Sequence, residues 1–144
     1  MKTILFAALS LFLISNITFS QNADAILGDW FNAEKDGKIR IYKSGNLYFG
    51  KLIWGKELYE ADGKTSRKDA NNANALLKGR PLLNLLILEQ FEFHQDQWRN
   101  GKVYDPKSGK TYDGFLKLKD GKLEIRGYVG IAAFGKTTVW TKAQ

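Results

Sequence analysis

Turn signals that recur at short intervals are the feature of this chain that most constrains its fold. They occur at Asp36-Gly37, Ser44-Gly45-Asn46, Asn100-Gly101, Ser108-Gly109 and Asp120-Gly121. Most of them follow one another at about eight to twelve residues, the interval expected of successive hairpins in an all-β sandwich or barrel. The sequence therefore predicts short antiparallel strands that are joined by tight turns.

The segments between these turns alternate apolar and polar residues. Ile39 and Ile41 alternate with charged or polar neighbours, and Leu123 and Ile125 do the same. A period of two places all the apolar side chains of a strand on one face. One face of the sheet is therefore expected to be buried.

The pattern predicts about eight strands, because a meander this long usually closes on itself to remove its edges. The predicted strands are 29–33, 38–43, 46–55, 83–93, 97–105, 110–118, 121–129 and 135–142. The expected fold is all-β, an up-and-down antiparallel barrel with one short helix in a long loop.

Residues 56–82 interrupt this rhythm and are expected to form the long loop. Asp69 can cap a short helix that runs to Lys78, with Gly79 able to end it and Pro81 beyond. We expect this segment to act as a lid or plug of the barrel.

The first residues have the pattern of a secretory signal peptide, with a basic start, an apolar run from Ile4 to Ile14 and a polar stretch that ends at Ser20. The run is much shorter than the roughly twenty residues of a membrane-spanning helix. The sequence predicts a signal peptide over residues 1–20 and one exported β-barrel domain over residues 21–144, in the periplasm or outside the cell. A weaker alternative cleavage site lies at Ala23-Asp24-Ala25.

Charge and cysteine content limit the partners. The chain has no cysteine, so it forms no disulfide and offers no attachment point for the lipid of a lipoprotein. Its net charge is +7, which could attract anionic lipid, lipopolysaccharide or cell-wall polymer, although most lysines flank turns and favour a solvated surface. We expect no nucleic acid partner, no transmembrane segment in the mature chain and no cofactor. The oligomeric state stays open.

The segment from Trp98 to Gly114 is rich enough in polar residues to resemble an active-site loop. Asn100-Gly101 predicts a two-residue turn, and residues 105–110 predict a type I turn whose backbone Asp105 caps. The alternative is an Asp105 and Asp113 carboxylate pair for a cation or for glycoside hydrolysis. Lys107 argues against a calcium loop, because it stands where an acid would be needed.

Other reaction centres are not indicated. His94 is the only histidine and ends a strand, so a surface or structural role is favoured. Ser44, Ser66 and Ser108 lie in turns or loops without a nucleophile-elbow pattern. The sequence predicts neither catalytic residues nor a metal site.

Aromatic side chains at strand positions could either fill a small barrel or line a cavity, and an eight-stranded barrel allows both. In the strand at 46–55, Tyr48 and Trp54 are expected to face inward around Gly50. Gly50 and Gly114 would leave room beside them for a small ligand.

Glu89 lies in the apolar strand at 83–93, where it either turns outward at a bulge or points into the barrel. With the strand aromatics, it completes the predicted ligand-binding residues. These are Tyr48, Trp54, Glu89, Tyr104, Tyr112 and Tyr128.

Several segments together resemble a known bacterial family. They are Gly28-Asp29-Trp30, residues 47–54, Arg80-Pro81-Leu82-Leu83, residues 98–106, Gly109-Lys110-Thr111-Tyr112, residues 126–130 and residues 135–141. In these segments the chain resembles the family catalogued as domain of unknown function 2147. The resemblance implies a small exported protein with a lipocalin-like β-barrel and implies no particular activity. The chain departs from the family pattern at Asn71-Asn72-Ala73-Asn74, where the family usually has an Asn-Pro-Asp-Pro-like run, and at Asn84, where the family usually has glycine.

Gly28-Asp29-Trp30 is also similar to the opening of lipocalins. In that group the tryptophan closes one barrel end beneath a basic side chain, so the resemblance implies a cation over Trp30. Arg126 or Lys142 could supply it.

The predicted function is that of a non-catalytic exported protein that binds a small apolar or amphipathic molecule, such as a lipid, at an open end gated by residues 56–82. One alternative is an envelope hydrolase that acts on lipid or glycan through Asp105, Asp113 or Glu89. Another is an envelope interaction or stress-related structural protein whose basic surface meets an acidic partner.

Overall fold

The computed structural model describes residues 21–144 and forms one closed antiparallel barrel. The predicted signal peptide lies outside the described residues. The strands are β1 (Gly28–Phe31), β2 (Gly37–Ser44), β3 (Leu47–Gly55), β4 (Leu86–His94), β5 (Gln97–Asp105), β6 (Lys110–Lys119), β7 (Lys122–Tyr128) and β8 (Lys136–Lys142). Each strand pairs with its neighbours in sequence, and β8 pairs with β1. The predicted all-β, eight-stranded, up-and-down barrel is confirmed.

The seam between β1 and β8 closes the barrel. Trp30 pairs with Lys142 and Phe31 with Thr141, and the backbone N–H of Ala143 donates to the carbonyl of Asp29 at 2.8 Å. These bonds use backbone groups that would be unpaired at the edges of an open sheet.

The strands alternate in direction, so the barrel has two different ends. The 3-10 turn Ala23–Ile26 and the hairpin turns after β2, β4 and β6 lie at one end, which we call the closed end. The connections after β1, β3, β5 and β7 lie at the other, which we call the loop end because it carries residues 56–85.

Two tryptophans anchor the closed end. The indole N–H of Trp30 donates to the carbonyl of Ile26 at 2.8 Å, and that of Trp98 donates to the carbonyl of Ala23 at 3.0 Å. Lys142 lies over the Trp30 ring, with Nζ 4.7 Å from its centroid. Lys142 therefore supplies the cation that the lipocalin resemblance implied.

The barrel interior is filled by side chains. Cross-strand pairs such as Trp30 with Ile39 and Trp98 with Leu116 are buried on both strands. The most completely buried barrel residues are Trp30, Ile39, Tyr48, Leu88, Phe91, Trp98, Leu116 and Leu123. Packing of these side chains, without disulfides, is the main stabilisation of the fold.

The inward glycines make room for neighbouring side chains. A Cβ on Gly50 would lie 2.8 Å from the Leu88 side chain, and one on Gly101 would lie 2.4 Å from the Phe91 ring. A Cβ on Gly114 would lie 2.6 Å from the Val103 side chain and 3.5 Å from the same ring. The space that the sequence assigned to a ligand beside Gly50 and Gly114 is therefore occupied by Leu88, Val103 and Phe91.

A bulge in β5 accounts for one difference from the predicted turns. Asn100-Gly101 is not a turn but part of a bulge in β5. Trp98 pairs with Leu116 and Gly101 with Gly114, so the segment of β5 between these pairs is one residue longer than the facing segment of β6. Asn100 takes the left-handed φ of 61° at this bulge. The actual hairpin turn lies at residues 95–96, where glutamine and aspartate gave a weaker signal.

A similar bulge in β4 explains the position of Glu89. Tyr48 pairs with Phe91 and Gly50 with Leu88, so β4 contains one extra residue, and Gln90 has a φ of 57°. Leu88 and Phe91 can both point inward, while Glu89 lies opposite Lys102 on the outer face. This is the outward alternative of the sequence prediction.

The loop contains less helix than predicted. Instead of a helix over residues 69–78, the structure has the single 3-10 turn Ala75–Leu77, capped by Asn74. Asp69 caps no helix, because its carboxylate accepts side-chain hydrogen bonds from distant residues. A short helix is thus present in the long loop, but it is limited to one 3-10 turn because these tertiary contacts outweigh local helix propensity over residues 69–78.

Within residues 21–144, the structure has no helix that combines the length and the apolar character needed to cross a membrane.

Candidate functional site

The loop end carries a cleft of about 550 Å³, which we call the loop-end cleft. One wall comes from the long loop and the others from β4, β5, β6 and the residue after β7. Its lining residues are Asn72, Ala73, Asn74, Leu77, Arg80, Glu89, Tyr104, Gly109, Lys110, Thr111, Tyr112 and Val129. It is larger than a second cleft, of about 440 Å³, at the closed end.

A buried hydrogen-bonded group fixes the loop wall of this cleft. The Asp69 carboxylate, only 1% exposed, accepts from the Tyr104 hydroxyl at 2.5 Å and from Asn72 Nδ2 at 2.9 Å. Arg80 Nε donates to it at 2.9 Å. Each of these three partners also lines the cleft, so Asp69 sets their positions from behind.

This group has a defined charge state at neutral pH. Burial raises the pKa of Asp69, but hydrogen bonds from Tyr104, Asn72 and Arg80 outweigh burial and leave the pKa below its usual range. Burial and the adjacent Asp69 carboxylate raise the pKa of Tyr104. Asp69 is therefore ionised and Tyr104 remains a hydrogen-bond donor, which keeps the group intact.

A second contact ties the loop to the β5–β6 turn. Asn71 Nδ2 donates to the carbonyls of Pro106 at 3.3 Å and Lys107 at 3.0 Å. Gly109, with a φ of 70°, passes so close that a Cβ there would lie 1.7 Å from the Asn71 carbonyl oxygen. The loop and the turn therefore form one rigid wall.

The lining groups make the cleft amphipathic. Leu77, Val129 and the Tyr112 ring offer apolar contacts. Lys110 adds an ammonium group, and Arg80 a guanidinium that lies 5.2 Å from the centroid of the Tyr104 ring. A molecule with an apolar body and a polar or anionic group would match these contacts.

Three of the six predicted site residues meet in this cleft. Glu89, Tyr104 and Tyr112, all predicted as ligand-binding residues, line it from three different strands. Tyr112 pairs with Val103 on the inner face, whereas Glu89 faces Lys102.

The other three lie elsewhere. Tyr48 is buried near the closed end, where its hydroxyl donates to Asp24 at 2.6 Å. Tyr128 lies on the outer face, tilted against Phe115. Trp54 was expected to face inward, but a bulge in the β2–β3 pairing places it beside Lys38 on the outer face.

Sequence reasoning missed the loop residues Asn72, Asn74 and Arg80 and the strand residue Lys110. Asn72 and Tyr104 are 32 positions apart, so no local pattern connects them. The one available signal was the asparagine-rich stretch at residues 71–74, where the chain departs from the pattern of the family that it resembles.

Two of the carboxylates considered for catalysis, Asp105 and Asp113, are engaged in local contacts. Asp105 accepts from the Lys107 backbone N–H at 3.0 Å and from the Ser108 hydroxyl at 2.7 Å, so the predicted turn cap is confirmed. Asp113 forms an exposed ion pair with Lys102. Among residues 21–144, no group of three or more His, Cys, Asp or Glu side chains is placed to hold a metal ion.

A smaller cleft of about 440 Å³ lies at the closed end, bordered by Lys43, Tyr48, Glu92 and His94. Asp24 accepts there from Tyr48 and from Lys43 Nζ, the latter at 3.1 Å. The hydrogen bonds from Tyr48 and Lys43 lower the pKa of Asp24 despite some burial. His94 is exposed, and its Nε2 lies 4.0 Å from Glu92.

Comparisons with known proteins agree with this architecture. A family model described as "Uncharacterized protein conserved in bacteria (DUF2147)" matches residues 28–142, which confirms the resemblance seen in the sequence. A solved structure titled "Protein HP1028 from the human pathogen Helicobacter pylori belongs to the lipocalin family" is similar, with a TM-score of 0.68. It is 20% identical, and the match covers 82% of each chain, so the similarity supports the lipocalin-like fold. A comparison with curated proteins gave no match.

Proposed function

The chain belongs to the family described as uncharacterized protein conserved in bacteria, and from this membership and the lipocalin-like fold we propose that it is an exported, non-catalytic binder of small amphipathic molecules. The ligand lies in the loop-end cleft, with its apolar part against Leu77, Tyr112 and Val129 and its polar end toward Lys110. Export rests on the predicted signal peptide over residues 1–20.

This proposal rests on where the protein has space for a ligand. Eight-stranded barrels either fill with side chains or hold one small ligand. Here Leu88 and Phe91 close the space beside the inward glycines, whereas the loop-end cleft offers about 550 Å³. That volume falls within the range of about 300–1,000 Å³ typical of small-molecule sites.

The rigid wall favours binding over a role in stability alone. Before any ligand arrives, Asp69 ties the loop to Tyr104, and Asn71 of the loop packs closely against Gly109 of the β5–β6 turn. A preformed wall reduces the entropy that a ligand must overcome on binding.

The charge of the cleft favours an anionic ligand group. Arg80 already pairs with Asp69, and its side chain is 34% exposed. Lys110 adds a second cation, while Glu89 on the cleft border faces Lys102 in the neighbouring strand. We therefore assign the polar end of the ligand to a carboxylate or phosphate, which lysine and arginine bind well.

Native mass spectrometry of protein purified from expressing cells tests the proposal, followed by titration with lysophosphatidylglycerol and, as a neutral counterpart, monoacylglycerol. We expect one molecule per chain and tighter binding of the anionic lipid. Lys110→Gln should weaken binding of the anionic lipid about tenfold and leave that of the neutral lipid unchanged.

Ala73→Trp places an indole at the mouth of the cleft and should reduce binding of both lipids. Val139→Trp, at a partly exposed position on β8, is the matched control and should bind as the unmodified protein does. Asn46 borders the closed-end cleft. Binding that survives Ala73→Trp but is lost in Asn46→Trp would therefore move the site to the closed end. Absence of binding to both lipids would contradict the proposal.

A further inference from the structure

Large apolar side chains are exposed in two turns of the loop end. Leu76 is 91% exposed in the 3-10 turn Ala75–Leu77, and Leu77 is 38% exposed. In the β7–β8 connection, Val129, Ile131 and Phe134 are 75%, 57% and 83% exposed. We call these five residues the apolar rim. An exposed apolar group of this kind often marks an interaction surface.

The two turns border the same cleft. Leu77 and Val129 both line it, one from the long loop and the other from the β7–β8 connection. The apolar rim therefore borders the loop-end cleft from both turns, and its other three residues are exposed beside it.

Specific hydrogen bonds hold both turns in these positions. Arg126 Nε donates to the Ala132 carbonyl at 2.8 Å, and its Nη1 donates to the Thr137 hydroxyl at 2.7 Å. The Leu76 backbone N–H donates to the Asn74 side chain at 3.0 Å. These hydrogen bonds therefore fix the apolar rim in its exposed position.

Positive charge accompanies these apolar groups. Residues 70–82 contain Lys78 and Arg80, residues 127–137 contain Lys136, and neither segment contains an acidic residue. Glu89 is the acidic residue among those that line the cleft, and Lys102 lies opposite it. The whole chain carries a net charge of +7.

We propose that the apolar rim docks the loop end of the barrel onto an anionic lipid surface. Leu76, Ile131 and Phe134 would enter the boundary between headgroups and acyl chains, while Lys78 and Lys136 contact anionic headgroups. Apolar side chains flanked by lysine and arginine are the usual composition of interfacial membrane anchors.

A lipid surface fits this rim better than a protein partner does. Protein interfaces bury about 800 Å² on each side around an apolar core that is closely packed. Here the apolar groups project from two separate turns and the cleft opens between them. A deformable lipid surface can accommodate such projections without a complementary shape.

Docking goes beyond the proposed binding function, because it requires no occupied cleft. It would place the mouth of the cleft at the membrane, where amphipathic molecules could enter from the outer layer of lipid. Either property can fail while the other holds.

Vesicle sedimentation tests docking, with exported protein whose N-terminus has been determined by mass spectrometry. We expect partition onto vesicles of phosphatidylglycerol and phosphatidylcholine and much weaker partition onto phosphatidylcholine alone. Phe134→Ser and Leu76→Ser should each reduce partition about tenfold or more. Val139→Ser removes an exposed apolar side chain on β8, outside the rim, and should leave partition unchanged.

Site-specific labelling gives the orientation, because the chain contains no cysteine. An environment-sensitive fluorophore on Phe134→Cys should shift to the blue with anionic vesicles. The same label on Asp96→Cys, in the β4–β5 turn at the closed end, should not shift.

Three results would overturn docking: no partition onto anionic vesicles, partition that both serine variants retain, or a blue shift at position 96 instead of 134. If the rim variants instead abolish a dimer seen by sedimentation without vesicles, the rim binds a second copy of the chain and docking is overturned as well. Lipid titration in the absence of vesicles is the independent readout of the proposed binding function.

Discussion

The Tyr104 hydroxyl donates a hydrogen bond of 2.5 Å to the Asp69 carboxylate, although the two residues are 35 positions apart. Tyr104 belongs to β5 and Asp69 to the long loop, so this bond fixes the loop on the barrel wall. The same carboxylate accepts from Asn72 and Arg80, which border the loop-end cleft. One buried acid thus determines the shape of the cleft.

Asp69→Asn should destabilise the protein by about 2 kcal/mol or more, because it weakens charged hydrogen bonds to Tyr104 and Arg80 in a buried setting. Urea unfolding followed by tryptophan fluorescence measures the change. Asp113→Asn is the control, since its pair with Lys102 is exposed and should contribute less than about 1 kcal/mol. Equal effects of the two substitutions would contradict this role of Asp69.

The free energy of unfolding should also depend on pH, through the ionisation of Asp69. The pKa of Asp69 is lower in the folded protein than its ordinary value of 3.8, so its contribution is fully present above that value. This contribution to the unfolding free energy decreases as the pH falls from 3.8 through the lowered pKa, because the Asp69 carboxylate then binds a proton more readily in the unfolded chain than in the folded protein. The difference in unfolding free energy between the unmodified protein and Asp69→Asn should therefore shrink on acidification from neutral pH to about pH 3. A difference that stays constant over this range would argue against the ionised carboxylate.

Gly109→Ala should displace the loop wall. A Cβ there would meet the Asn71 carbonyl oxygen at 1.7 Å, in addition to the strain of a φ of 70°. Gly121 is the control, because it has a similar φ of 73° and no atom lies within 4 Å of the position that a Cβ would take. Gly121→Ala therefore measures only the backbone strain of the positive φ, about 1 kcal/mol. We expect a larger loss of thermal stability, with weakened ligand binding, only for Gly109→Ala. Equal losses would mean that the loop adjusts freely.

Lys142→Met should lower stability by about 1 kcal/mol, because it removes the cation over Trp30 and the hydrogen bond to the Leu27 carbonyl while it keeps the apolar stem. Lys122→Met, at an exposed position on β7, serves as the control and should have little effect. Chemical denaturation of the two variants side by side tests whether the lysine stabilises the closed end.

The mature chain is expected to begin at Gln21. Cleavage at the alternative site Ala23-Asp24-Ala25 would remove the carbonyl that accepts from Trp98 and the carboxylate that accepts from Tyr48. A buried indole N–H without an acceptor is costly, so a chain cut there should be less stable. The intact mass of the exported protein distinguishes the two sites. Recovery of a stable chain cut at the second site would show that these contacts are dispensable.

Local sequence patterns were enough to predict most of the strands and their order. Glycine turns such as Gly45 and Gly121 have the positive φ that their hairpins require, and alternation identified Ile39 and Ile125 as core residues. The pattern was misleading at Asn100, because the same left-handed conformation serves both a turn and a bulge. Which of the two forms depends on the register of the neighbouring strand, and no local signal contains that information.

The cleft was less accessible to sequence reasoning than the fold. Tyr104 and Tyr112 were identified by their aromatic character at strand positions, and both line the cleft. Asn72 and Arg80 were not identified, because their roles depend on contacts with Asp69 and Tyr104 that only the folded loop creates. Asn84, which stands where the family usually has glycine, keeps the backbone shape with a φ of 63°.

The seam between β1 and β8 joins the two ends of the domain, since Phe31 pairs with Thr141. During synthesis the N-terminal strand must wait for the last strand before its second edge is paired, and such distant pairing slows folding. Until residues 136–142 are available, one edge of β1 stays unpaired. The closure that stabilises the finished barrel therefore requires nearly the whole domain to be synthesised first.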